Sequence, residues 1–179
     1  MLYIEFERNL NNMNTPNRYN PVMVVLHWLT VLLILGAGLL SDSEGGGSSP
    51  INIHMILGAL LLLVLIIRLI LRFTTRRPAW ASTGNEFLDK IGELVHVGLY
   101  FFAFLILVFG GLIAVQRNLF AYVMGTGSAS YGEAGFVYGA LHQLGWFGVV
   151  SLLFLHVGAA LYHQFIIKDN LLNRMWFAR

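Results

Sequence analysis

The stretch LHQLGWFGVVSLLFLHVGAALYH, residues 141–163, decides how the rest of the chain is read. It is apolar almost throughout and, with the residues that follow it, long enough to cross a bilayer as one helix. Yet it carries three histidines, His142, His156 and His163. An imidazole in hydrocarbon costs free energy unless something pairs with it. His142 and His156 are 14 residues apart. At 100° per residue that falls about 40° short of four full turns, so both rings project from nearly one stripe, about 21 Å apart along the axis.

Outward from this stretch the chain keeps the same character. Of its 179 residues 57% are hydrophobic and only 11% are charged, which is too apolar for a soluble domain. It contains no cysteine, which excludes disulfides, thiolate metal sites and thioether-attached haem. Four apolar spans are predicted, at about 22–40, 51–73, 86–115 (apolar core 94–115) and 141–167. The expected fold is all-α, an integral membrane four-helix bundle forming one domain over 1–179. The first span reads as a retained helix, because a polar segment precedes it and no small-residue cleavage site follows. Asn85 reads as the N-cap of the third span, with Glu86 in its first turn.

Basic residues set the expected orientation. Arg8, Arg18, Arg68, Arg72, Arg76, Arg77, Lys90, Lys168, Arg174 and Arg179 fall on one side. The other side holds Arg117 with Asp42, Glu44 and Glu133. The positive-inside rule puts both termini and the 74–93 connection in the cytoplasm, as in a multi-pass protein of a bacterial inner membrane.

All six histidines lie within the spans. Counted from the outer end of each helix, they sort into three layers at depths of about 2–5, 20–22 and 28–33 Å. His54 and His142 form the outermost layer, His27 and His156 the second, and His96 and His163 the innermost. One helix can thus offer an axial ligand to each of two stacked haems, with His54 completing the outer site and His27 the inner one. Bis-histidine coordination leaves no open position on the iron and suits electron transfer. Gly58, Gly145 and Gly158, close in sequence to these histidines, leave room for a flat macrocycle. Arg68 lies 14 residues after His54, on the same stripe, and can pair with a haem propionate. The competing reading makes the histidines helix-to-helix hydrogen-bonding groups or a proton relay. His96 and His163 can pair with carboxylates such as Glu93, hold helices together, or bind a quinone headgroup with Arg72 and Lys168.

The sequence also resembles the bacterial cytochrome b561 family. The resemblance rests on NTPNRY, LHWLTVLLIL, INIHMILGALLLLVLIIRLILR, LVHVGLYFF, ALHQLGWFGVVSLLFLHVGAALYHQF and KDNLLNRM, nearly the whole chain outside the two outer loops. The histidine pattern is similar, too, to the cytochrome b subunits of membrane hydrogenases and formate dehydrogenases. It implies two haem b groups, the pairing of His54 with His142 and of His27 with His156, and reaction with ubiquinone or another quinone. One activity in the family is oxidation of superoxide with ubiquinone as acceptor. The outer connections here, one arginine against three acids, lack the positive surface that would steer an anion.

Two functions follow. In the first, the protein moves electrons between a periplasmic-side donor, superoxide included, and the quinone pool. In the second, it is a haem-bearing membrane anchor and electron-relay subunit for a partner cytochrome or dehydrogenase. The expected partners are membrane lipid, quinone and a periplasmic electron-donor protein, with no nucleic acid.

Overall fold

The computed structural model describes residues 16–40, 48–129 and 134–176. Arg8, Asp42, Glu44, Glu133 and Arg179, used above in assigning orientation, lie outside the described residues. Among the described residues every regular element is helical. The elements are α1 (Pro21–Leu39), α2 (Ser48–Thr74), α3 (Glu86–Gln116), the short α4 (Leu119–Val123) and α5 (Ala134–Tyr162). A π-helical turn, His163–Ile167, continues α5, and a 3₁₀ turn, Leu171–Met175, follows. α1, α2, α3 and α5 with its π turn are each long and apolar enough to cross a membrane.

Local chemistry explains where these helices start. Asn20 caps α1 by accepting from the Val22 N–H at 2.9 Å, and Pro21 opens the helix with its φ already set. Asn85 caps α3 by accepting from Phe87 and Leu88, with Glu86 and Asp89 favourably placed in the first turn. α5 begins at Ala134, ahead of the apolar run that starts at Leu141. Its first turns have something to pack on, since the Tyr138 ring lies 6.0 Å from that of Phe109 on α3.

The helices pack as two hairpins. α3 and α5 lie close together over much of their length, and so do α1 and α2, while close backbone approaches between the hairpins are few. Small residues set this pattern. A Cβ on Gly98 would lie 2.6 Å from Leu152, and one on Gly145 would lie 2.7 Å from Ile106, so α3 and α5 come together through glycines. Gly145, read from sequence as room for a macrocycle, therefore makes room for a helix. The core is a small cluster drawn from all four long helices: Leu33, Leu61, Val64, Leu65, Ala103 and Val149. Large apolar side chains such as Leu32, Leu63, Phe101 and Phe154 point outward, as a lipid-facing surface requires.

One end of the bundle, the terminal end, gathers three segments. The Tyr19 N–H donates to the Arg174 carbonyl (3.3 Å), and the Trp28 indole N–H to the Met175 carbonyl (2.9 Å). The Arg174 guanidinium donates to the Ala79 carbonyl at 2.9 Å. These bonds tie the residues before α1, the α2–α3 connection and the C-terminal segment to one another. The opposite, far end carries α4 and the start of α5.

Candidate haem-binding site

Four imidazoles face one another across the seam between the hairpins. Toward the far end, His54 on α2 and His142 on α5 have ring centres 6.1 Å apart with planes at 69°. Each is oriented by a backbone carbonyl of a third or fourth helix. His54 Nδ1 donates to Ala37 O on α1 (2.9 Å), and His142 Nδ1 to Ile106 O on α3 (2.8 Å). A carbonyl can only accept, so Nδ1 carries the proton and Nε2 keeps its lone pair. Gly110 provides the space: a Cβ there would stand 3.0 Å from the His142 ring.

Toward the terminal end, His27 on α1 and His156 on α5 are 6.2 Å apart with planes at 63°. The surroundings here are side chains rather than backbone. Arg68 donates to His27 Nδ1 (3.2 Å) and to Thr30 Oγ1 (3.1 Å). Its guanidinium carbon also lies 5.8 Å from the centre of the Tyr100 ring. Its buried Nε has no hydrogen-bond partner, and it forms no ion pair with a carboxylate among the described residues. Arg72 sits over both Trp80 (5.7 Å) and Tyr100 (5.8 Å).

The remaining two histidines are not brought together. His96 packs 4.9 Å from His156 and 5.6 Å from Trp80, and its Nδ1 donates to Gly92 O rather than to Glu93. His163 is buried, and its Nδ1 lies 2.7 Å from Asp169 Oδ2. So of the four residues read as a quinone cluster, His96 and Arg72 meet at Trp80, whereas His163 pairs with Asp169. Lys168 ends the π turn at a positive φ of 62°, its side chain exposed. Asp169, Trp80 and Tyr100 touch these side chains and were not singled out from the sequence. For Asp169 and Trp80 a signal was present: a KDN run directly after the last span and an aromatic residue shortly after RRP.

The geometry of both pairs suits one iron between two rings. A metal–imidazole bond of about 2 Å on each side, plus about 1 Å from each nitrogen to its ring centre, puts the centres about 6 Å apart. Haem brings four nitrogens of its own, so two side chains per site are enough.

Membrane-length helices that turn paired imidazoles toward a shared seam define the class of helical membrane proteins equipped to hold haem within the bilayer. A family model described as prokaryotic cytochrome b561 matches residues 18–178. The chain is 32% identical over 176 residues to cytochrome b561 homolog 2 of Escherichia coli strain K12, covering 90% of this chain and 93% of that one. To cytochrome b561 homolog 1 of the same organism it is 26% identical over 175 residues, covering 89% and 97%. The chain belongs to the prokaryotic cytochrome b561 family. That membership makes it a multi-pass bacterial membrane protein and implies haem b and haem-dependent electron transfer.

Proposed function

We propose that the protein holds two haem b groups, one between His54 and His142 and one between His27 and His156, and carries electrons between a donor on one membrane face and quinone. The observation that carries this is the equal spacing of the two pairs, 6.1 and 6.2 Å, across the seam between hairpins. Bound there, haem b supplies reversible one-electron carriage. The chain supplies the ligands, their orientation and a dry surrounding. At the far end the carbonyls of Ala37 and Ile106 hold both Nδ1 protons, which leaves Nε2 for iron. At the terminal end, ligation through Nε2 requires the His27 Nδ1 to carry a proton, so it can no longer accept from Arg68. Arg68 is then free to pair with a propionate, the anionic partner that a partly buried guanidinium with no carboxylate calls for.

The basic residues assign the terminal end to the cytoplasm and the far end to the periplasm of the inner membrane. Quinone reacts at the terminal end, where His96, Arg72 and Trp80 form one cluster and His163 lies buried beside Asp169, with Lys168 at the rim. A quinone carbonyl needs a hydrogen-bond donor and a proton source, and these groups provide both. The periplasmic donor, superoxide among the candidates, meets the far-end pair.

A reduced-minus-oxidised spectrum with haem quantified per chain tests the first statement. Two b-type haems per chain are expected, and a colourless purified protein overturns the reading. For the second statement, His96→Leu and His163→Leu are each expected to slow haem reduction by a short-chain ubiquinol. Unchanged kinetics in both would move the quinone elsewhere.

A further inference from the structure

Two stretches at opposite ends of the sequence meet in the folded chain. NTPNRY contributes Arg18, and KDNLLNRM contributes Asp169 and Arg174, to one polar cavity of about 320 Å³ at the terminal end. Pro78 and Ala79 of the α2–α3 connection also line it. Its volume is that of a small-ligand site, about 300–1,000 Å³. The proposed haem and quinone sites use neither arginine.

The charge of this cavity is unbalanced. Arg18 is exposed and makes no hydrogen bond or ion pair among the described residues. Arg174 gives one hydrogen bond, to the Ala79 carbonyl at 2.9 Å, which leaves most of its five N–H donors open. The one carboxylate among the lining residues is already engaged on both oxygens. Asp169 Oδ2 lies 2.7 Å from His163 Nδ1, and Oδ1 accepts from the Leu171 N–H at 3.1 Å. Asp89, at the start of α3, is held by Ser82 at 2.6 Å and by Thr83 at 2.7 and 2.8 Å. Arg76 and Arg77, exposed just ahead of Pro78, add positive charge to the same face. Two guanidiniums with open donors and no carboxylate of their own call for an anion, and their planar fork fits phosphate oxygens.

The position of the cavity says which anion. The Met175 carbonyl, one residue past Arg174, accepts from the Trp28 indole at 2.9 Å, and Trp28 lies seven residues into α1 from Pro21. At 1.5 Å per residue the C-terminal segment therefore lies against α1 about 10 Å along a membrane-length helix, not beyond its end. Trp176 is 59% exposed and is fixed edge-on to Trp28 at 5.7 Å. Leu172, on the other side of Arg174 in the sequence, is 37% exposed. Exposed tryptophan is typical of the membrane–water boundary, and basic pockets between membrane helices take anionic head groups. We propose that this cavity binds the phosphate of an anionic phospholipid, which Arg18 and Arg174 clamp while Trp176 and Leu172 lie beside its acyl chains. The bound phosphate adds a bridge between the residues before α1 and the C-terminal segment, which the 3.3 Å bond from the Tyr19 N–H to the Arg174 carbonyl already joins. This holds whichever membrane face the terminal end occupies, and it does not depend on haem or quinone placement.

Native mass spectrometry of the delipidated, detergent-solubilised full chain, titrated with phosphatidylglycerol, tests this. One tightly held phosphatidylglycerol per chain is expected, with phosphatidylcholine bound at least tenfold more weakly. Arg18→Gln breaks no bond within the described residues, so it should leave the fold intact and weaken phosphatidylglycerol about tenfold, the scale of one lost charge-assisted hydrogen bond. Arg174→Gln should weaken it at least as much, but it also removes the bond to Ala79, so Arg18→Gln is the decisive variant. Arg77→Gln removes the same charge outside the cavity lining and should change the affinity less than twofold. Thermal unfolding gives a second readout: phosphatidylglycerol should raise the midpoint of the native protein and not that of Arg18→Gln. Equal binding of the two lipids overturns the proposal, as does an equal loss in Arg77→Gln and Arg18→Gln, which would mean that diffuse surface charge gathers lipid. Inorganic phosphate that binds as tightly as phosphatidylglycerol would make the ligand a free phosphate and overturn the lipid assignment.

Discussion

The two imidazole pairs share one spacing and almost nothing else. At the far end the ring orientation is fixed by main-chain carbonyls, Ala37 on α1 and Ile106 on α3. At the terminal end it is met by side chains: Arg68 on His27, and His96 packed 4.9 Å from His156, with Arg72, Trp80 and Tyr100 around them. A backbone acceptor is set by the fold and brings no net charge. A guanidinium is set by one codon and brings a full one. The difference teaches that one fold can surround two like imidazole pairs with neutral main-chain acceptors at one end and with charged and aromatic side chains at the other. Potential and reactivity follow charge, burial and hydrogen bonding around the iron more than the ligands themselves.

The strongest way to break this comparison is to remove one ligand at a time. His142→Ala or His54→Ala is expected to lower haem from two to one per chain, leaving the terminal-end spectrum in place. His27→Ala or His156→Ala should do the reverse. Pigment analysis of the four purified variants decides. Loss of both haems on any single replacement would show that the two pairs do not form independently, and that the seam assembles as one unit.

A smaller effect sharpens the contrast in charge. Arg68→Gln removes a partly buried cation next to His27, which lies at the terminal end alone. A nearby positive charge favours the reduced iron, so its loss is expected to lower the terminal-end potential by roughly 60 mV, a tenfold step for a one-electron couple. Haem content should hold, because Arg68 is no ligand. Spectroelectrochemical titration gives both potentials in one experiment. An equal shift at the far end would mean that the charge acts through the whole bundle rather than locally.

How much of this was legible beforehand follows from what each signal depends on. The four long helices needed only length and hydropathy. The shared level of His54 with His142 and of His27 with His156 followed from depth along each span, because 1.5 Å per residue is a property of any α-helix. Depth alone carries no lateral information. His96 counted as innermost, level with His163, yet it packs on His156, because counting along apolar runs takes the helices as parallel and their ends as level. The contact of His163 with Asp169 depends on a widened turn and on one left-handed residue, Lys168, and neither has a periodicity to read. Gly145 was ambiguous in principle: a missing side chain admits a macrocycle and a neighbouring helix equally well, and only the packing against Ile106 decides between them.

The finest test concerns two glycines that differ in what surrounds them. A methyl added at Gly110 would stand 3.0 Å from His142 Cε1 and 3.2 Å from its Nδ1, closer than nearly all such contacts, so the ring must yield by a few tenths of an ångström. It yields against its 2.8 Å hydrogen bond to Ile106 O, the bond that fixes its tautomer. Gly110→Ala should therefore keep the far-end haem but move its potential and absorption maximum, by less than Arg68→Gln moves those of the terminal-end haem. A Cβ at Gly158, two residues past His156, meets no protein atom within 4 Å. Gly158→Ala has no protein reason to disturb the fold, so any loss of the terminal-end haem in that variant would come from the methyl meeting the macrocycle itself. If both variants match the native spectrum and titration, the far-end ring is held less firmly than its backbone bond implies, and the macrocycle at the terminal end does not lie against Gly158.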